Sequence, residues 1–315
     1  MSIPLLETKG LKKYFKTKKG YLHAVDDINI KINEGQTLGV VGESGCGKST
    51  LGRTILRLIE PTEGEVNFEG ENIFKYNGDR MKNMRKKMQI IFQDPYASLN
   101  PRMTVGQIIA EPLYVSKITK TKQETNNRVH ELMEKVGLAE RYENVYPHEL
   151  DGGRRQRIGI ARAISVNPKF IVCDEPVSAL DVSIQAQILN LMMDLQEEQN
   201  FTYLFITHDL SVVKHISDEI VVMYLGKCVE KAPSRELYKN PKHPYTQALL
   251  SAIPIPKLGQ KRAKNIIKGE VLSPINPTSG CRFALRCPHF SNECAKIDPP
   301  IRKINENHFV FCNLY

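Results

Sequence analysis

Short apolar runs alternate along this chain with segments of helical periodicity. The runs are rich in β-branched residues and nearly free of charge, and they fall at 37–41, 88–92, 170–173, 203–206 and 220–223. Uninterrupted apolar runs of this length are typical of strands that are buried on both faces of a mostly parallel sheet. Because helical segments separate the runs, the pattern predicts an α/β fold.

The same pattern divides the chain into regions. Roughly from residue 94 to residue 168 the chain is polar and helix-rich, which predicts a helical subdomain inserted in the sheet. After residue 223 prolines recur, so that only short helices such as 245–252 are predicted there. We therefore predict a core domain over residues 1–225 and a C-terminal extension over residues 226–315.

Charge and composition disfavour some functions. The 315 residues carry a net charge of +9, but lysine and arginine are scattered and are not interleaved with aromatic residues, so nucleic acid is not an expected partner. A basic surface that faces an anionic cytoplasmic leaflet explains the charge equally well. The chain shows no signal peptide and no apolar stretch long enough to span a bilayer, so we expect a cytoplasmic protein that reaches the membrane through partners.

A glycine-rich segment follows the first apolar run and fits the pattern G-x-x-x-x-G-K-[ST]. It leads into a helical segment predicted from Lys48 toward Ile59. Glycines let backbone N–H groups turn toward phosphates, and a helix N-terminus adds partial positive charge. We expect Lys48 to reach the β- and γ-phosphates and Ser49 to supply a hydroxyl ligand to Mg²⁺. The predicted nucleotide-binding residues are Gly42, Glu43, Ser44, Gly45, Cys46, Gly47, Lys48, Ser49 and Thr50.

Two carboxylates follow the apolar run 170–173. Asp174, at the predicted end of a strand, suits coordination of Mg²⁺, and Glu175 directly after it suits a general base that polarises water aimed at the γ-phosphate. Water is thus the predicted nucleophile. A solvated acidic pair at the end of a strand is the alternative.

Gln93 and His208 also follow apolar runs, where sheets of this type bind ligands. We expect Gln93 to contact Mg²⁺ or the attacking water, and His208 to form a hydrogen bond with the γ-phosphate. Each of them taken alone is more often a polar residue with a purely structural role.

A pair of adjacent glycines, Gly152 and Gly153, lies in the segment LDGGRRQR, which precedes the helical stretch 158–166. Glycines at a helix N-terminus form another anion-binding end. One phosphate loop together with one further anion-binding end indicates a nucleotide site shared by two chains.

These motifs, with the loop 178–181 and in this order, resemble the ATP-binding cassette (ABC) ATPases. The segments FQDPYASLNP (92–101) and HPYT (243–246), with the terminal cysteines, are most similar to F-type ATP-binding subunits of oligopeptide, dipeptide and nickel importers. The resemblance implies a P-loop NTPase core of the ABC type with an inserted helical subdomain, and an extension of the oligopeptide-transporter type.

The resemblance also implies an assembly. ATP would lie between the phosphate loop of one subunit and the signature segment of another, and the partner would be a related D-type ABC ATPase. Two transmembrane permease subunits and, indirectly, an extracellular substrate-binding protein would complete the importer, with this chain on the cytoplasmic face of the plasma membrane. An aromatic platform for adenine is implied at Phe15, close to Tyr14 and Tyr21.

One departure from the family pattern concerns the signature, which usually reads Leu-Ser-Gly-Gly-Gln. Here Asp151 and Arg154 stand in place of the serine and the glutamine. A carboxylate at the serine position has no proton to donate at neutral pH and would repel the γ-phosphate. We therefore expect the ATP site completed by Asp151, Gly152 and Gly153 to be slow or silent.

Seven cysteines in a chain without a signal peptide argue against a disulfide framework. Four of them fall in a proline-broken segment that is too poor in apolar residues to build a core, at Cys281, Cys287, Cys294 and Cys312. Four thiolates can bind Zn²⁺ or an iron–sulfur cluster, and free buried thiols are the alternative. The resemblance favours a [4Fe-4S] cluster with a structural role.

The predicted function is ATP hydrolysis that drives peptide import through membrane-spanning partners. Import of nickel or metal chelates is an alternative with the same motor role. A soluble ABC ATPase acting on nucleic acid or the ribosome is disfavoured, because the chain has one cassette and no sustained heptads. Glu175 and His208 argue against a regulatory module that binds ATP without turnover.

Overall fold

The computed structural model describes residues 3–253 and 273–315. The strands are β1 (Leu6–Thr17), β2 (Gly20–Ile28), β3 (Lys31–Ile32), β4 (Thr37–Val41), β5 (Glu63–Phe68), β6 (Glu71–Asn72), β7 (Met88–Ile91), β8 (Phe170–Asp174), β9 (Thr202–Ile206), β10 (Glu219–Tyr224), β11 (Lys227–Pro233), β12 (Ile301–Asn305) and β13 (His308–Phe311). The α-helices are α1 (Lys48–Ile55), α2 (Gly78–Lys87), α3 (Pro95–Ser98), α4 (Val105–Val115), α5 (Lys122–Lys135), α6 (Gly152–Ile164), α7 (Val182–Gln199), α8 (Leu210–Ile216), α9 (Ser234–Lys239) and α10 (Pro244–Ser251).

The described residues belong to two compact units. The first contains those within Met1–Asn33, Thr37–Phe74 and Phe205–Tyr315, and the second those within Glu34–Gln36 and Lys75–Leu204. Strand β9 carries the chain from the second unit to the first.

An antiparallel sheet in the first unit has the strand order β2-β1-β5-β6, with β3 also paired to β1. Leu6 and Leu11 of β1 and Val25 and Ile28 of β2 are fully buried, whereas the lysines of β1 remain accessible. The sequence analysis did not predict this sheet, since strands with one buried face mix apolar and charged residues and leave no uninterrupted apolar run.

A second row of strands in the first unit has the order β12-β13-β11-β10-β4. Strand β10 runs parallel to β4, with Ile220 opposite Gly39, and pairs antiparallel with β11. The predicted domain boundary near residue 226 falls in the turn between β10 and β11, so hydrogen bonds join the residues on its two sides. The extension contributes β11, β12 and β13, where only short helices had been predicted.

The C-terminal extension shares a hydrophobic core with the rest of the first unit. Tyr245 of α10 and Phe283 are buried against Tyr224 at the end of β10, with ring centroids 4.7 Å and 5.3 Å away from it. Val41, the last residue of β4, belongs to the same cluster. The few large side chains of the extension are therefore buried in a core that they share with the strands of the first unit.

In the second unit, β7 and β8 are parallel, with Met88 opposite Phe170. The described elements between β7 and β8 are helical: α3, α4, α5, α6 and short 3-10 turns. Helix α6 begins at Gly152, earlier than the predicted stretch 158–166, because Asp151 caps it. In the first unit, α1 ends at Ile55 and stops short of the predicted Ile59.

Within residues 3–253 and 273–315, no helix is both long and apolar enough to cross a membrane.

Candidate functional site

The phosphate loop lies between the fully buried strand β4 and helix α1 in the first unit. Gly42 and Gly47 have φ angles of +154° and +104°. A Cβ atom at Gly42 would lie 2.1 Å from the carbonyl oxygen of Met223, and one at Gly47 would lie 1.8 Å from that of Ala24. Only glycine fits at both positions, because the loop is pressed against neighbouring backbone in a conformation that L side chains rarely adopt.

Lys48 is the first residue of α1, and its side chain is turned into the phosphate loop. Its Nζ donates hydrogen bonds to the carbonyl oxygens of Gly42 at 2.8 Å and Glu43 at 3.1 Å, and only 5% of the residue is exposed. Ser49 and Thr50 continue the first turn of the helix. Burial raises the pKa of the Cys46 thiol, so Cys46 is a neutral packing residue beside this ammonium group.

The loop is tied to residues of the extension that the sequence analysis assigned no role. The Glu43 N–H donates to Tyr245 Oη at 2.8 Å, and the Arg286 guanidinium binds the Glu43 carboxylate. Tyr245 is positioned because His243 Nδ1 accepts the Tyr245 N–H at 3.1 Å and caps α10. Burial lowers the pKa of His243 to about 4, so its imidazole is neutral at pH 7 and can act as this acceptor. In the sequence, the segment HPYT (243–246) was the signal that could have pointed to His243 and Tyr245.

The predicted adenine platform, Phe15, lies on β1 opposite Leu22 of β2, and the Lys13 ammonium is 4.9 Å from its ring centroid. The neighbouring Tyr14 is stacked on His23 at 3.8 Å, and its hydroxyl donates to Asp26 at 2.5 Å. The Tyr14 ring is thus fixed by a stacked imidazole on one face and by the hydrogen bond of its hydroxyl. The contact described for the Phe15 ring is the one with the Lys13 ammonium.

His208 lies two residues after the end of β9, in the first unit, and is exposed. The preceding residue, Thr207, donates its N–H to the carbonyl oxygen of Val40 at 3.1 Å. Because Val40 is one residue from the end of β4, this hydrogen bond places His208 near the strand that leads into the phosphate loop.

The second unit brings together Gln93 and Glu175, which are 82 residues apart in sequence. Gln93 Nε2 donates to Glu175 Oε2 at 2.8 Å. Asp174 ends β8 with 1% of its surface exposed, and Glu175 directly after it has φ = +49°. A left-handed conformation at a residue other than glycine costs energy and is concentrated at functional sites. The backbone conformation of Glu175 and the hydrogen bond from Gln93 together fix the orientation of the Glu175 carboxylate.

Asp151 is the N-cap of α6, where its Oδ1 accepts the Arg154 N–H at 2.8 Å. Its Oδ2 forms an ion pair with the Arg154 guanidinium, which stacks 5.0 Å from the Tyr142 ring centroid. The two departures from the family signature are therefore partners. The sequence analysis treated Asp151 as an uncompensated negative charge, and the missed signal was the i,i+3 spacing of opposite charges at a helix N-terminus.

The four terminal cysteines are free thiols, with Cys294 and Cys312 buried and Cys281 and Cys287 half-buried. Burial, with the other three thiols adding, raises the pKa of Cys281 to about 11. Within residues 3–253 and 273–315, no group of three or more His, Cys, Asp or Glu side chains could hold a metal ion. The four thiols in this arrangement therefore do not form a ready-made site for Zn²⁺ or an iron–sulfur cluster.

Known protein families match both parts of the chain. Residues 25–178 match the ABC transporter family, and residues 229–294 match the C-terminal region of oligopeptide/dipeptide transporters. The putative oligopeptide transport ATP-binding protein YkfD of Bacillus subtilis (strain 168) is 54% identical over 316 residues, which cover 99% of this chain and 96% of that protein. The oligopeptide transport ATP-binding protein OppF of Haemophilus influenzae is 52% identical over 306 residues, covering 96% and 92%.

Solved structures are similar to the chain as well. The dimeric post-hydrolysis state of the ATP-binding cassette MJ0796, bound to ADP and Pi, has a TM-score of 0.67 and 30% sequence identity. The match covers 73% of this chain and 99% of that one.

Proposed function

The chain belongs to the ABC transporter family, and from this premise we propose that it is the ATP-hydrolysing subunit of an importer for oligopeptides or dipeptides. One observation carries the proposal. The phosphate loop and the described residues of the region that matches oligopeptide/dipeptide transporters belong to the same compact unit. The matches at 25–178 and 229–294 also support a functional division near residue 226.

The candidate site residues have distinct proposed roles in hydrolysis. Lys48 binds the β- and γ-phosphates, and Glu175, aimed by Gln93, polarises the attacking water. His208 forms a hydrogen bond with the γ-phosphate. Mg²⁺, when bound, would neutralise charge on the phosphates, and the residues proposed to hold it are Ser49, Gln93 and Asp174.

The proposed assembly pairs this chain with a second ABC ATPase of the D type. A single chain offers one phosphate loop and one signature end, so two chains complete two sites. Two permease subunits connect the pair to the membrane, and the chain is peripheral on the cytoplasmic face. Phe15 remains the proposed adenine platform.

Co-purification tests this proposal. When the tagged chain is expressed in its native host and extracted in mild detergent, we expect two membrane proteins and a second ATPase to co-purify with it. ATPase activity of that complex, reconstituted in vesicles, should rise when a binding protein loaded with peptide is added. Stimulation by a nickel-loaded binding protein would instead support the metal-import alternative. Recovery with ribosomes or nucleic acid, without membrane proteins, would contradict the proposal.

The cysteine-bearing segment carries a separate proposal, a [4Fe-4S] cluster held by Cys281, Cys287, Cys294 and Cys312. The four thiols lie near enough to one another for each to raise the pKa of its neighbours, and this proximity supports the proposal; binding a cluster would draw them closer together and would deprotonate them. We expect protein purified without oxygen to be brown and to contain iron and sulfide. Replacement of Cys228, which lies outside the group, should leave the iron content unchanged. Colourless protein, with zinc or with no metal, would contradict the cluster.

A further inference from the structure

An arginine of the C-terminal extension reaches the phosphate loop across 243 residues of sequence. Arg286 Nη1 and Nη2 donate to the two carboxylate oxygens of Glu43 at 2.9 Å and 3.2 Å, and Nη1 also lies 3.1 Å from Tyr224 Oη. The Arg286 side chain is 8% exposed and the Glu43 side chain 25%. A two-pronged ion pair shielded from water to this degree is both directional and strong compared with a surface pair.

The segment that carries Arg286 is itself fixed at its other end. Arg282 donates to the carbonyl oxygen of Leu225 and forms an ion pair with Asp26. Gly226, the next residue after Leu225, donates its N–H to the carbonyl oxygen of Cys46 in the phosphate loop at 2.8 Å. The extension therefore contacts the loop at both Glu43 and Cys46. The contacts of Arg282 fix the segment that carries Arg286.

The Glu43 carboxylate needs such a partner. Glu43 lies one residue into a loop that is built to bind a triphosphate, and the phosphate-binding ammonium of Lys48 is 3.1 Å from its carbonyl oxygen. An unpaired carboxylate here would repel the phosphates and would compete with them for the Lys48 ammonium. The Arg286 guanidinium offsets this negative charge and donates hydrogen bonds to both carboxylate oxygens.

We propose that Arg286 is a positioning residue for MgATP. Arg286 neutralises and orients Glu43, and it thereby makes the C-terminal extension part of the nucleotide site. Tyr245 assists by accepting the Glu43 N–H. This inference rests on the proposed function, because it assumes that residues 42–50 bind MgATP.

Equilibrium binding of a fluorescent ATP analogue to the full chain tests the proposal. Arg286→Gln should raise the Kd for MgATP about tenfold, and Tyr245→Phe about threefold. The double variant Glu43→Gln with Arg286→Gln should return to within about twofold of wild type, since it has no carboxylate left to neutralise. A purely structural contribution of Arg286 would not be rescued by the second substitution. Arg302→Gln, an exposed arginine on β12, is the matched control and should change nothing.

The outcomes separate this inference from the proposed function. Wild-type protein that fails to bind MgATP would overturn both. Wild-type protein that binds MgATP, with Arg286→Gln equally tight or with the double variant as weak as Arg286→Gln, would overturn the role of Arg286 alone. If Arg286→Gln does not fold, the double variant is the deciding protein, because it also lacks the ion pair. An affinity of the double variant for MgATP equal to that of wild type supports the proposal, and a tenfold loss of that affinity overturns it.

Discussion

Replacing Glu175 with glutamine should leave MgATP binding intact and lower ATP hydrolysis by the assembled transporter about a hundredfold or more. Glutamine has nearly the same shape and can still accept the Gln93 amide hydrogen bond that Glu175 accepts at 2.8 Å. It cannot polarise water as a carboxylate does. Phosphate release measures hydrolysis, and equilibrium binding of a fluorescent ATP analogue measures affinity.

Lys48→Ala is the matched contrast for this experiment. Loss of the ammonium that now bonds to the carbonyl oxygens of Gly42 and Glu43 should abolish binding and hydrolysis together. Hydrolysis by Glu175→Gln within about threefold of wild type would remove Glu175 from the role of general base. Loss of binding by Glu175→Gln would assign it to nucleotide binding instead.

The signature segment yields the second large effect. The double variant Asp151→Ser with Arg154→Gln should raise ATPase activity of the assembled transporter, up to about twofold if both sites then turn over alike, since it makes the second site equivalent to the first. Asp151 now accepts the Arg154 N–H at 2.8 Å, so a carboxylate of the chain itself already occupies the anion-binding end of α6. The double substitution removes one negative and one positive charge, so the net charge is unchanged.

The single substitutions in the signature separate the contributions of the two residues. Arg154→Gln should lower the activity that remains at this site, because it strips the Asp151 carboxylate of its ion pair and leaves a negative charge facing the γ-phosphate. Asp151→Ser should raise activity. If all three variants match wild type while Glu175→Gln is also harmless, the idea of a slow site at Asp151 is wrong.

The sequence led to the phosphate loop because every part of the motif is local. An apolar strand, glycines that permit positive φ, and a helix that starts at Lys48 are read within fourteen consecutive residues, 37–50. The parallel strands β7 and β8 were each predicted to within one residue for a similar reason, since burial on both faces leaves uninterrupted apolar runs.

Strands with one accessible face escaped the sequence analysis. In β1 the lysines alternate with buried residues such as Leu6 and Leu11, which blurs the pattern into one that resembles a polar segment. The extension was underestimated because Tyr245 and Phe283 are too few to form a core alone. They are buried against Tyr224 of β10, which local periodicity cannot show.

By itself, the sequence identified the parts of the candidate nucleotide site: a glycine-rich loop between a strand and a helix, carboxylates at the end of a strand, and a signature that departs from its family. Tertiary structure decided which side chains compensate one another. The pairing of Asp151 with Arg154 and that of Glu43 with Arg286 depend on the conformations of α6 and of the extension. Electrostatic energy depends on distance in space, and residues 243 positions apart along the chain become neighbours only when the fold is complete.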